Sequence, residues 1–220
     1  MRNYHYIISG LPDIALDFEN TGFDLESLFA HISDMSTPED IRCIEWLFFG
    51  LKEENLNNHF YRAARKMPNK FIREYFTTDL EIRNIQAAYL ARKSSQDPSD
   101  FVIGSGEFTD SLKNSKAADM GITHLSELSA PVLKILENEN ILEREQLLDL
   151  LRWERANEIC TFSYFDINVI LSFLLKASIV KRWAKLDRKR GAAFLVDSVT
   201  GSFKLPPAGD TVPIKVTEPV

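Results

Sequence analysis

The stretch INVILSFLLKASIV, residues 167–180, decides the fold that this sequence predicts. It is hydrophobic on nearly every side of a helix, and a helix that is apolar all round is one that the rest of a protein buries. We therefore expect a central, buried helix over about residues 165–189. Its longest apolar run, residues 167–175, falls well short of the roughly 20 apolar residues that cross a membrane, so we expect no membrane span.

Weaker helical patterns lie on both sides of this segment. Apolar residues recur at helical spacing, and glycine and proline are sparse between residues 24 and 199. The clearest start signal is Thr37-Pro38-Glu39-Asp40, where a capping hydroxyl is followed by proline and then by acids. Thr78 is predicted to cap another helix. The predicted helices cover residues 24–33, 38–50, 53–66, 78–93, 143–158 and 192–199.

The fold class that follows is mainly α, a multi-helix bundle of one or two helical units. The alternation of Tyr4, Tyr6 and Ile8 predicts a short N-terminal strand. Residues 1–200 are expected to form the helical domain, either as one body or as two intimate units of about 1–100 and 101–200. Residues 201–220 are expected to be an extended or disordered tail, part of which could pair with the N-terminal strand.

Charge and cysteine usage narrow the function classes. The net charge of −6 supplies no basic field for nucleic acid, so we expect no nucleic-acid partner. Cys43 and Cys160 lie far apart without metal-site spacing, which is typical of two separate thiols in a reducing compartment. The N-terminus has no secretory signal pattern. A cytoplasmic location is therefore expected.

Motifs for catalysis or cofactor binding do not occur in the sequence. The four histidines are out of helical reach of one another and of the cysteines, which argues against a metal site. Gly104-Ser105-Gly106 is not followed by the lysine of a phosphate-binding loop. We therefore expect neither enzymatic activity nor a cofactor. An enzyme whose catalytic residues are dispersed along the chain stays open as an alternative.

Two groups of charged residues have competing interpretations. The acids and arginines of residues 143–158 are typical of a solvated helix face with i, i+3 and i, i+4 pairs. The second group is predicted to bind an acidic partner protein, or else it solubilises the end of the central helix. It consists of Lys181, Arg182, Lys185, Arg188, Lys189 and Arg190, with Trp183 as a structural aromatic residue among them.

The segment DLEIRNIQAAYLARK, residues 79–93, resembles a helix of the stalk-to-ring coupling subunit of V-type and A-type rotary ATPases, the one designated d in eukaryotes. In that family an acid precedes an Asn-Ile pair and a basic end follows. Glu81, Asn84, Ile85 and, as the basic end, either Arg92 or Lys93 fit the outline. Glu81, Asn84 and Ile85 are therefore expected to be structural. Because an unpaired buried amide costs about 1–3 kcal/mol, Asn84 is expected to hydrogen-bond a neighbouring loop or helix.

Two further segments carry the same resemblance. ILSFLLKASIVKRWAKLDRKRG, residues 170–191, is similar to the closing helix of that family. YHYIISGLPDI, residues 4–14, looks like the start of a short bacterial family found in V-type ATP synthase gene clusters. The coupling subunit of the family is typically longer and has three similar helical units, whereas this chain has room for two at most.

The resemblance implies a non-catalytic coupling subunit. Such a subunit lies on the cytoplasmic face of the membrane, and its partners are the central stalk and the membrane rotor ring of the rotary ATPase. The alternative is a free-standing helical adaptor or regulator whose basic residues bind an unrelated acidic protein.

Overall fold

In a computed structural model, residues 4–16 and 24–184 are described, and they form an all-helical protein. Helices account for 69% of the described residues, about twice the share in an average globular protein, which confirms the mainly α fold class. The α-helices are α1 Tyr4–Ser9, α2 Leu25–Met35, α3 Pro38–Gly50, α4 Asn58–Ala64, α5 Lys70–Lys93, α6 Glu107–Asn114, α7 Ser129–Leu136, α8 Ile141–Ile159 and α9 Ile167–Ala184.

Helix α5 is the long axis around which the others pack. It contacts α3, α4, α6, α7, α8 and α9. Asn69 caps its start by accepting a hydrogen bond from the Ile72 backbone N–H, 2.9 Å away. No proline or glycine interrupts the 24 residues that follow. The prediction that a helix begins at Thr78 was wrong, because Thr78 lies in the middle of this continuous helix.

Helix α9 is the buried helix that its apolar sequence predicts. Its buried residues include Ile170, Leu171, Leu174 and Leu175, all without exposed surface. α9 packs against α1, α2, α3, α5 and α8. It therefore joins the first helices of the chain to the last ones. Residues 185–189, which we expected at its end, lie outside the described residues.

Side-chain caps mark the starts of several helices. Thr37 and Asp40 form a reciprocal capping box at the start of α3, which ends at Gly50 as predicted. Asp24 and Asn140 cap α2 and α8 with their side chains. The predicted helix over 53–66 is instead a short 3₁₀ helix, Glu53–Asn55, followed by α4.

The N-terminal strand prediction was wrong. Residues Tyr4–Ser9 form α1, in which Tyr4 and Ile7 are buried and Tyr6 is exposed. Burial thus follows the i, i+3 spacing of a helix and not the alternation of a strand. Tyr4 donates a hydrogen bond of 2.8 Å to Asp40 Oδ1, and His5 stacks on Phe165 with the ring centroids 3.9 Å apart. Residues 192–220, including the predicted last helix and the tail, lie outside the described residues.

The apolar interior has two clusters that meet along α5. The first core contains α1–α4, the N-terminal part of α5, the end of α8 and α9. The second core contains the C-terminal part of α5 with residues between 102 and 148. Within α5 the change falls between Leu80 of the first core and Ile82 of the second.

Candidate functional site

A chain of buried charges lies where the two cores meet. Asp79 of α5 and Asp149 and Arg152 of α8 are 3%, 1% and 8% exposed, respectively. The Arg152 guanidinium bridges the two acids, with 3.1 Å from Nε to Asp79 Oδ1 and 3.2 Å from a terminal nitrogen to Asp149 Oδ1. A charge taken out of water costs several kcal/mol unless it is paired, so these three side chains hold one another in place.

Neighbouring helices complete the hydrogen bonding of both carboxylates. Tyr61 Oη of α4 and Arg83 Nε of α5 donate to Asp79 Oδ2 over 3.0 and 2.8 Å. At the other end, Trp183 Nε1 of α9 donates to Asp149 Oδ2 over 2.7 Å, and Arg182 also donates to that oxygen. The buried charge chain, defined as Asp79, Arg152 and Asp149 with these partners, therefore ties together α4, α5, α8 and α9.

The electrostatics around Asp79 favour the charged forms of the ion pair. Burial by itself raises the pKa of Asp79, but Arg152 and Arg83 outweigh it and bring that pKa below its ordinary value. Burial likewise acts to lower the pKa of Arg152, and the neighbouring Asp79 more than compensates, so the net shift is upward. Burial and the nearby Asp79 raise the pKa of Tyr61. Asp79 and Arg152 are therefore ions at neutral pH, and Tyr61 is a neutral phenol.

The charged helix α8 departs from the sequence interpretation at two positions. Asp149 and Arg152 were expected on a solvated face, and both are buried. The sequence does carry a signal for Arg152, which lies four residues after buried Leu148 and four before buried Ala156. Residues spaced by four share a helix face, so Arg152 lies on the inner face of α8. Asp79 of α5 was also missed.

Glu81 and Asn84 each attach α5 to a neighbouring loop. The Asn84 side chain donates to the Ile103 carbonyl oxygen over 2.8 Å and accepts from the Ile103 N–H over 2.9 Å. It therefore satisfies both backbone groups of that residue, the pairing with a neighbouring loop expected of it. Glu81 Oε2 accepts a hydrogen bond of 2.9 Å from Ser126 Oγ.

The other residues singled out from the sequence lie in different places. Ile85 is fully buried in the second core, and Arg92 donates to the backbone carbonyls of residues 112, 115 and 117. Lys181 Nζ lies 3.1 Å from Glu26 Oε1, and Arg182 pairs with Asp149. Both described members of the basic group therefore make ion pairs within the chain. Lys185, Arg188, Lys189 and Arg190 lie outside the described residues.

An open cavity of about 460 Å³ lies beside the buried charge chain, between α5, α7 and α8. Glu81 and Ser126 line it together with Glu74 and Glu127. Arg155 also lines it, and its Nε donates to Thr78 Oγ1 over 3.2 Å while its terminal nitrogen pairs with Glu158. No group of three or more histidine, cysteine, aspartate or glutamate side chains among the described residues is arranged to hold a metal ion. Cys43 and Cys160 are free thiols, both half-buried.

The fold and this site define a class: an all-helical protein whose helices are locked by internal ion pairs. Residues 50–200 match the model of a family described as proteins of unknown function, DUF2764, and the chain belongs to that family. No curated protein and no solved structure matches the chain. None of the helices that the structure describes is long and apolar enough to pass through a membrane.

Proposed function

We propose that this protein is a non-catalytic coupling subunit of a V-type or A-type rotary ATPase, joining the central stalk to the membrane rotor ring. The observation that carries the proposal is the buried charge chain. A part that transmits torque must keep its helices in register under load. Asp79, Arg152 and Asp149, with their partners, join four helices through directional contacts, and slippage of α5 against α8 would separate the buried Asp79–Arg152 ion pair.

The residues that resemble the rotary-ATPase coupling subunit support the same function. Glu81, Asn84 and Ile85 lie on α5, the helix that passes through both cores, and the two polar side chains hold neighbouring loops. Their contacts are structural, as expected in a spacer. Asp79, Asp149 and Arg152 are engaged with one another, and none of them lines the cavity of about 460 Å³ between α5, α7 and α8, which favours a mechanical role over a chemical one.

The partner contact that we propose uses the basic residues that follow α9. Lys181 and Arg182 are engaged within the chain, so Lys185, Arg188, Lys189 and Arg190 are the members of the group that we assign to an acidic surface of the stalk or ring. Exposed charge pairs contribute only about 0.2–1 kcal/mol each, so these residues are expected to act together and mainly on the rate of association.

The first test is purification of the full-length tagged chain from detergent-solubilised membranes of cells that encode it. Stalk and ring subunits of a rotary ATPase should be recovered in a fixed ratio to the tagged chain. Recovery of a soluble acidic protein without any ATPase subunit would instead identify a free-standing adaptor and would overturn the coupling function.

The second test reverses Lys185, Arg188, Lys189 and Arg190 together to glutamate. Recovery of the ATPase subunits should fall at low salt, and added salt should reduce the difference from wild type because it screens the charges. The matched control reverses four exposed cations of α4, α5 and the loop between them, Arg62, Arg65, Lys66 and Lys70, which should leave recovery unchanged. Equal recovery from the two variants would remove the basic residues from the interface.

A further inference from the structure

An apolar groove lies on the surface formed by α2 and α3, beside the C-terminal end of α9. Its volume is about 540 Å³. Leu25 and Phe29 of α2 line one side, and Phe48 and Phe49 of α3 line the other. Phe29 and Phe48 meet edge to face with their ring centroids 5.3 Å apart. Phe49 is 51% exposed, an unusual position for a phenylalanine next to a core.

Charged residues at one side of the groove include Lys181, which lies close to the last described residue of α9. Lys181 of α9 lines the groove and pairs with Glu26 of α2, which lines it as well. Two residues further on, Trp183 is still buried, at 7% exposed. The last described residue, Ala184, is therefore three positions from a groove residue. The 36 residues that follow begin at the edge of the groove.

The sequence after Ala184 contains one segment whose chemistry matches this groove. Residues 192–196 read AAFLV, five apolar residues in a row. Phe194 lies ten positions after Ala184, a stretch that spans up to about 33 Å when extended. Phe194 and Leu195 can therefore reach any point of the groove.

We propose that the groove is a docking site for this chain's own segment 192–196. Phe194 and Leu195 bind between Phe29, Phe48 and Phe49 and remove them from water. Burial of apolar side chains supplies the driving force, and it has to exceed the cost of ordering the segment.

The groove offers little to other classes of ligand. Glu26 and Lys181 neutralise each other, and the remaining charged groups that line it are one acid, Glu45, and one cation, Lys52. A strongly charged ligand would find no net opposite charge there. An apolar peptide segment requires none, and segment 192–196 is covalently attached to α9.

The test is a cysteine cross-link in the full-length chain. In a Cys43→Ser, Cys160→Ser background, Phe49→Cys is combined with Leu195→Cys and the protein is mildly oxidised. The control combines Phe101→Cys with Leu195→Cys. Phe101 is similarly exposed, at 47%, but it follows the far end of α5. Phe49 lies near the other end of α5, because it packs next to Phe60 and Phe60 packs on Phe76 of α5. Phe76 is about 25 Å along that helix from its C-terminus, so the two exposed phenylalanines lie at different ends of α5.

The expected result is that the Phe49 pair links about tenfold faster than the Phe101 pair, as expected for groups held at high effective concentration. The rate should not depend on protein concentration. A link that forms only between two molecules would identify a second copy as the occupant and overturn the proposal. A third pair, Phe49→Cys with Phe23→Cys, tests residues 17–23 as the occupant, and preferential linking there would also overturn it.

Hydrogen exchange provides a readout without engineered cysteines. Leu195→Asp introduces a charge into the docked segment and should increase the exchange of amides in α2 and α3 severalfold, while amides of α6 and α7 stay unchanged. The matched control is Val212→Asp, which places the same charge in the chain beyond the docking segment. Unchanged exchange in α2 and α3 for Leu195→Asp would contradict the proposal.

Discussion

The two cores of this protein differ both in the residues that fill them and in how the chain supplies those residues. The first core contains buried aromatic rings from several helices, and it draws on residues 4–80 and 156–183. The second core is filled by aliphatic and methionine side chains, and all of its buried members come from residues 82–148. The first core thus brings together residues from both ends of the described chain, and the second core is formed by residues from its middle.

Aromatic rings fill much of the first core where α3, α4 and α5 meet. Each ring buries a large apolar area, so a few of them fill the space between these helices. Phe60 packs against Trp46, Phe49, Tyr61 and Phe76, which lie on α3, α4 and α5. The buried members of the second core are instead aliphatic side chains and one methionine.

The buried charge chain is the boundary between these regions. Asp79 immediately precedes Leu80 of the first core, and Arg152 lies between Leu148 of the second core and Ala156 of the first. Directional ion pairs at this boundary fix the orientation of one core against the other, which apolar contacts alone specify less well. If the two cores unfold cooperatively, the ion pairs at this boundary are the contacts that link the unfolding of one core to that of the other.

The largest expected effect comes from breaking that boundary. Arg152→Ala removes the guanidinium that pairs with both Asp79 and Asp149, so two buried carboxylates lose a neutralising charge. The substitution should lower the free energy of unfolding by about 3–5 kcal/mol. Arg155→Ala is the matched control on the same helix, because Arg155 is half-exposed and pairs with an exposed Glu158; it should cost under about 1 kcal/mol. Urea unfolding measured by circular dichroism compares the two. Equal losses would remove the special role of the buried charge chain.

The effect of Arg152→Ala should also depend on pH. Because the pKa of Asp79 is lowered in the folded protein, its ion pairs contribute fully above its ordinary value of 3.8 and are lost as the pH falls through the lower folded value. The difference in stability between wild type and Arg152→Ala should therefore be largest near neutral pH. It should begin to shrink once acid protonates Asp79 in the variant, where Arg152 no longer helps to offset the effect of burial on the pKa, and be smallest below the lowered folded pKa of wild type. A difference that persists unchanged in acid would point to lost packing and not to lost charge.

The next effect tests whether the cores unfold together. Leu174→Ala in the first core and Leu112→Ala in the second both remove fully buried side chains, and each should cost about 2–5 kcal/mol. Since α5 belongs to both cores, each variant should shift one common transition, seen identically by tryptophan fluorescence and by circular dichroism. Two separate transitions in either variant would mean that the cores are independent units.

A smaller effect tests the close packing of aromatic rings. A Cβ added at Gly50 would lie 2.3 Å from Phe76 Cζ and 2.4 Å from Phe60 Cζ, so both rings must move. Gly50→Ala should cost about 1–3 kcal/mol by overpacking. Gly10→Ala is the control, because its added Cβ meets only ordinary contacts of 3.5 Å. A thermal melt that shows no change for Gly50→Ala would mean that the first core is looser than its ring contacts indicate.

The smallest effect is expected at the ion pair between α9 and α2. The Glu26 side chain is largely exposed, at 87%, and the Lys181 side chain is about one-third exposed, at 32%. Lys181→Ala should therefore change the free energy of unfolding by under about 1 kcal/mol. Urea unfolding measures this change. If the ion pair itself contributes, Lys181→Ala should cost less in a Glu26→Ala background than in wild type. A loss comparable to that of Arg152→Ala would make this contact a second structural lock.

The sequence by itself determined the helical class, the central position of α9 and several helix starts. These follow from local physics: a capping box needs four consecutive residues, and an all-apolar helix has to be buried wherever the rest of the chain lies. Only the tertiary structure decided that Tyr4–Ser9 is a helix, since α9, the Asp40 carboxylate and the Phe165 ring select which of its faces is covered. The tertiary structure alone also brought Asp79 to Arg152, 73 residues away, because the charge of a side chain is visible in a sequence but its partner is not.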